Sequence, residues 1–98
     1  MKPSLMEQIR NAVREGRHRF SQHALGELHA DDLHAVDAEA VLLTGELARI
    51  QEQEGLDVPG PRYTVIGTAT DLTTKVGVVC RFEPPEQLLI ITCYEMPG

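Results

Sequence analysis

Apolar and polar positions change rhythm halfway along the chain. Between residues 5 and 44 apolar side chains recur every three or four positions, and from Glu46 onward every two; these are the spacings of one helix face and of one sheet face. Leu5, Met6, Ile9, Ala12 and Val13 predict a first helix over about 5–15, opened by Ser4 and Glu7 as a capping box and ended by Gly16. A short basic strand-like run, Arg17-His18-Arg19-Phe20, follows. Ala24, Leu25 and Leu28 predict a second helix from Ser21 until Asp31-Asp32 interrupt it. Asp37 reads as the N-cap of a short third helix, Ala38 to Thr44, with Gly45 just past its end. Leu47 to Glu54, Arg62 to Ala69, Lys75 to Phe82 and Leu88 to Tyr94 read as four strands, with Gly55 to Pro61 as the longer loop. Helices first and sheet later predict an α+β fold in one domain: two to three N-terminal helices packed on one face of a four-stranded, mostly antiparallel sheet.

Strand register turns this pattern into two faces. A turn at Glu83-Pro84-Pro85-Glu86 that sets Phe82 opposite Gln87 also sets Cys80 opposite Leu89, Val78 opposite Ile91 and Val76 opposite Cys93. The same rule across Asp71 to Thr74 sets Val65 opposite Cys80 and Tyr63 opposite Phe82, again core with core. Cys80 and Cys93 then lie about 14 Å apart at roughly 3.4 Å per residue, beyond disulfide reach. The other face collects Arg62, Thr64, Ile66, Lys75, Val79, Arg81, Leu88, Ile90, Thr92 and Tyr94, with Lys75 opposite Tyr94. Such a face, partly apolar and edged with cations, is a candidate binding surface. It is equally what the solvent side of an antiparallel sheet looks like.

Composition narrows the function classes. A chain of 98 residues is long enough for one core and too short for two. Its 42% hydrophobic content is that of a soluble globular protein, no apolar run approaches the roughly 18 residues of a membrane span, and no apolar signal segment opens the chain, so the cytoplasm is the expected location. The net charge of -6 opposes nonspecific affinity for nucleic acid. That sum conceals an asymmetry: residues 20–57 carry Arg49 against nine acids, whereas residues 1–19 carry five bases against two acids. A basic end and a basic sheet can still face a phosphate. The two cysteines form no C-x-x-C pair and the histidines (His18, His23, His29, His34) do not repeat at i, i+4, so no metal and no cofactor are expected.

One histidine has a special position. Ser21, as an N-cap, places His23 in the first helical turn, where free N–H groups and the macrodipole disfavour a second proton. A neutral imidazole near pH 7 is what a general base requires. A partly buried histidine bonded to the preceding loop would look the same.

Phe20-Ser21-Gln22-His23-Ala24, a helix, then Val41-Leu42-Leu43-Thr44-Gly45-Glu46, Arg62-Tyr63-Thr64-Val65-Ile66-Gly67 and Leu89-Ile90-Ile91-Thr92-Cys93-Tyr94 together resemble domain of unknown function family 4258 over roughly residues 17–95. That family is related to the RelE/ParE-type toxins, many of which cut mRNA. The resemblance implies a RelE-like fold, a ribonuclease role, and a cognate antitoxin, in several relatives a small zinc-finger protein with a helix-turn-helix half. It carries the family histidine onto His23, the sheet motif onto Arg62-Tyr63 and Gly67, and the terminal Thr-x-Tyr onto Thr92 and Tyr94. Ribonucleases of the wider superfamily use cations and tyrosines of the exposed sheet, here Arg62, Lys75, Arg81 and Tyr94. Relatives commonly carry an arginine where this chain has Asp31, a reversal of charge.

Metal-free RNA cleavage needs a base for the 2′-hydroxyl, an acid for the leaving 5′-oxygen and cations for the developing charge. His23, Tyr94, Arg62 and Arg81 can fill those roles, with Arg81, His23 and Tyr94 as catalytic candidates and Arg62, Lys75 and Thr92 as substrate-binding ones. A non-catalytic RelE-like interaction module is the alternative. An antitoxin or a second copy of the chain would then cover the open face.

Overall fold

The computed structural model describes residues 2–52, 60–84 and 86–97. Three helices, α1 (Leu5–Arg14), α2 (Gln22–Ala30) and α3 (Ala35–Thr44), alternate with and then precede five strands: β1 (His18–Phe20), β2 (Glu46–Gln51), β3 (Arg62–Thr68), β4 (Lys75–Glu83) and β5 (Gln87–Glu95). The strands form one sheet in the order β1-β5-β4-β3-β2. The fold is α+β, as the periodicity predicts, but the sheet has five strands and is mixed. The basic run at 17–20 supplies the fifth strand: β1 pairs parallel to β5, Arg19 opposite Leu89. Three residues are too few for alternation to announce a strand. The predicted loop at Gly55–Pro61 lies largely outside the described residues.

The helices cover one face. Ile9, Ala12, Ala24, Leu28, Ala38, Val41 and Leu42 meet Val65, Val76, Val78, Cys80, Leu88, Ile90 and Cys93 in a single buried cluster. Ser4 caps α1 as predicted, accepting from the Glu7 N–H at 3.1 Å. The start of α3 differs: its N-cap is His34, and Asp37 sits one turn in, accepting the His34 N–H at 2.9 Å. That Asp37 is the glutamate-like member of a capping box explains why it resembles a cap in sequence.

Register corrects the predicted faces in three places. On β5, Leu88 and Ile90 are buried in the core and Leu89 and Ile91 are not, the reverse of the prediction. The cause is a β-bulge at Ile91: Cys80 pairs with Ile90, but Val79 pairs with Thr92. One extra residue switches the face of everything on one side of it. Second, Tyr63 lies opposite Cys80 and Val65 opposite Val78, while Lys75 pairs with Thr68 and Tyr94 with Gly77; these are two-residue shifts, which preserve the face. Third, Cys93 pairs with Val78, leaving it diagonal to Cys80 and much nearer than the predicted 14 Å. Both thiols are free and buried, and burial pushes each up to about 12. Neither cysteine is expected to react with a thiol reagent near neutral pH in the folded protein, and both should after denaturation; a thiol count in each state checks this.

Two glycines set the distance between the helix layer and the sheet. A Cβ on Gly45 would lie 2.5 Å from the Ile66 carbonyl oxygen and 2.6 Å from that of Val41, and one on Gly67 would lie 3.0 Å from the Gly45 Cα. The end of α3 therefore rests backbone-to-backbone on β3. Gly45 has φ -80, open to any residue, so its requirement is purely steric. Gly45→Ala is expected to cost about 1–3 kcal/mol, read as a lower urea midpoint at unchanged slope.

The two edges of the sheet are treated differently. Beyond the end of β1, α2 closes the β5 edge with side chains: Ser21 Oγ donates to the Ile91 carbonyl at 2.9 Å, Glu27 Oε1 accepts the Cys93 N–H at 3.2 Å, and Asp31 Oδ2 accepts the Glu95 N–H at 3.4 Å. Asp31 thus has a backbone partner on β5. At the opposite edge every residue of β2 except Leu47 is exposed.

Candidate nucleic-acid interface

The face of the sheet away from the helices gathers most of the predicted site residues. Its residues fall in rows across the strands. Arg49, Thr64, Val79 and Thr92 form one row, and Glu46, Ile66, Gly77 and Tyr94 the next. On the other side of the first row, Gln51 pairs with Arg62, Arg81 pairs with Leu89, and Leu89 pairs with Arg19. Tyr63 lies opposite Cys80, so Arg62 is level with Arg81 on the neighbouring strand. Lys75, opposite Thr68, stands at the far end of β4. Arg62, Lys75, Arg81, Thr92 and Tyr94 therefore share one face.

Tyr94 is fixed there by a glycine. Its ring lies across Gly77, where an added Cβ would come within 2.6 Å of the hydroxyl. This cross-strand covering of a glycine by an aromatic ring holds the hydroxyl over β4.

The cations differ in what they already bind. Arg19 grips Glu83 bidentately, Nε to Oε1 at 2.7 Å and Nη2 to Oε2 at 3.1 Å. This fork holds the Glu83 carboxyl below its usual range, with the charge of Arg81 adding to the effect. Among the described residues no carboxylate lies within ion-pair distance of Arg49, Arg62, Lys75 or Arg81. On this face, these four cations have no carboxylate partner among the described residues and are open to an anion. Arg49 escapes the alternation argument because a second bulge, between Leu47 and Arg49, resets the faces of β2.

His23 stands apart. Ser21 is the N-cap of α2, its Oγ accepting the Ala24 N–H at 3.0 Å, so the histidine does sit in the first turn. Its side chain is 69% exposed, and Nε2 lies 3.2 Å from Glu27 Oε1. Glu27 and Asp31 continue the same stripe of α2 toward the β5 backbone. His23 thus occupies the rim of the sheet, beside a carboxylate, and not the strands that carry the cations. His18 is half-buried: its Nε2 meets Glu39 Oε2 at 2.6 Å and ties β1 to α3.

A groove of about 730 Å³ lies elsewhere, between the start of α1 and the β4–β5 turn, and is lined in part by Gln8, Arg17 and Phe82. It contains none of the predicted site residues. Among the described residues no three His, Cys, Asp or Glu side chains are grouped to hold a metal ion, and no helix is long and apolar enough to cross a membrane.

The sequence motifs now divide by duty. Ser21 caps α2 and binds β5, Ala24 is buried, and Gly45 and Gly67 form the α3–β3 contact; these positions build the fold. Arg62 and Arg81 are half-buried cations of the open face, and Tyr94 covers Gly77 there. No curated protein and no solved structure matches the chain. Its sequence profile does match over residues 20–95, which span α2, α3 and most of the sheet, and on that match the chain belongs to the family described as domain of unknown function (DUF4258).

Proposed function

We propose that this protein is a toxin-like endoribonuclease of the RelE/ParE type, acting on RNA in the cytoplasm without a metal ion and restrained by a cognate antitoxin. One observation carries the reading: Arg49, Arg62 and Arg81 stand on three adjacent strands of the open face, none engaged by a carboxylate among the described residues. Strands are about 4.8 Å apart, so Arg62 and Arg81 stand side by side with Arg49 one row along on the next strand, each able to take a phosphate bidentately.

In this reading Arg62 and Arg81 hold the scissile phosphate and Arg49 the next one, while Lys75 and Thr92 contact the chain on either side. Bond formation from the 2′-oxygen to phosphorus expels the 5′-oxygen, leaving a cyclic phosphate and a 5′-hydroxyl. Tyr94, held over Gly77, gives its proton to the leaving oxygen. His23 at the β5 rim takes the 2′-hydroxyl proton. Each proton transfer is worth about 10²- to 10⁴-fold.

The test is cleavage of RNA by the purified protein in the presence of a chelator. Wild type should cut; His23→Ala and Tyr94→Phe should each slow it about 10²- to 10⁴-fold. Gly77→Ala, which displaces the Tyr94 ring, should lower the rate in step with Tyr94→Phe while leaving the fold intact. RNA left whole by wild type ends the enzyme reading. The neighbour of His23 favours a second reading, a non-catalytic interaction module: Glu27 is an anion 3.2 Å from the imidazole and repels a phosphate. Under that reading RNA or a protein partner is bound, nothing is cut, and controlled expression leaves growth unchanged. A small zinc-finger or helix-turn-helix protein that co-purifies with the chain would identify the antitoxin.

A further inference from the structure

We infer that the free edge of β2 is a homodimer interface, in which the strand pairs antiparallel with β2 of a second copy across a twofold axis. The inference is independent of RNA cleavage. It begins from the unequal edges: α2 spends Ser21, Glu27 and Asp31 on closing the β5 edge, whereas β2 ends the sheet, exposed at every position but Leu47 and with no further strand paired to it among the described residues. An uncovered strand edge is a template for another strand.

What selects a second copy is the bulge. Leu47 pairs with Val65 and Ile50 with Tyr63, so both point to the helix side although three positions separate them. A regular strand alternates every two residues and cannot present apolar side chains to both. Another β2 can. With the twofold axis between Ala48 and Arg49, Leu47 of each copy meets Ile50 of the other, and the two bulges face one another. This buries Ile50, which is 55% exposed in the single chain. On the open face the same register sets Glu46 diagonal to Arg49 of the second copy, acid against base. The pairing is isologous, as a closed dimer requires. It also joins two sheets edge to edge, bringing Arg49 and Arg62 of both copies to one continuous face.

Sedimentation of the full chain over a concentration series tests the proposal. The expected result is a species at twice the 10.9 kDa chain mass that dissociates on dilution. Each substitution acts twice across the axis, so Ile50→Lys should raise the dissociation constant by about tenfold or more. Glu46→Arg alone should weaken the dimer, and combining it with Arg49→Glu should restore it. Far-UV circular dichroism confirms that each variant is folded. A monomer at every concentration overturns the proposal, and so does a dimer indifferent to both Ile50→Lys and the charge reversal.

Discussion

Asp37→Ala is expected to remove about 3 kcal/mol of folding stability, lowering the melting temperature by roughly 10–25 °C. Asp37 is 6% exposed, the one buried charged residue among those described. Its carboxylate is nonetheless fully employed. Oδ2 accepts the His34 N–H at 2.9 Å, and Oδ1 accepts the Thr70 N–H at 3.0 Å and the Thr70 hydroxyl at 2.6 Å. These bonds tie the start of α3 to the turn that leaves β3. Alanine would strand two main-chain donors, and hydrogen bonds to a charged group are worth more than neutral ones. The Thr70 hydroxyl, more than any other contact, holds the Asp37 carboxyl below its ordinary value, with the two N–H groups assisting and burial opposing. A carboxyl depressed on folding stabilises the protein above its unfolded value of 3.8, and that contribution is lost as pH falls through the lower folded value. The stability gap between wild type and Asp37→Asn, from urea melts, should therefore shrink below about pH 4. An unchanged gap would mean the carboxylate is not held as described.

Losing Arg62 and Arg81 together is expected to lower RNA cleavage by about 10²- to 10³-fold or more, and to weaken RNA binding at every salt concentration. Two phosphate contacts removed should flatten the logarithmic salt dependence of binding to a single strand by about 1.4. Arg19→Ala provides the contrast. Its guanidinium is already committed to Glu83 at 2.7 and 3.1 Å, so its removal should change the salt slope little. An Arg19 effect equal to that of Arg81 would mean that the ion pair yields to phosphate, and that charge alone governs the face.

The elements legible in the sequence are those where a local rule met no competitor. Ser4 and Ser21 precede clean helical spacing, and both cap helices. Val76, Val78 and Cys80 alternate without ambiguity and are all buried. In β5 the run Leu88-Leu89-Ile90-Ile91 is apolar on either parity, so alternation cannot choose a face. The bulge at Ile91 makes that choice through its partners on β4. Arg49 is hidden for the same reason, by the irregularity after Leu47. The candidate site follows the same division. Arg62, Lys75, Arg81, Thr92 and Tyr94 fall on the expected face because errors of two residues leave the face unchanged. The place of His23 is a question of tertiary docking: Glu27 and Asp31 anchor α2 along the β5 edge, and no periodicity within residues 21–30 encodes that.

The central claim is that RNA lies on the open face of the sheet. The most direct measurement is a backbone NMR titration of the protein with a short single-stranded RNA at moderate salt. The amides of Arg62, Thr64, Val79, Arg81, Thr92 and Tyr94 should shift saturably, while those of the α1 and α3 core positions, such as Ile9 and Val41, stay in place. Shifts confined to the helix layer or to the groove beside α1, or none at all, would contradict the claim.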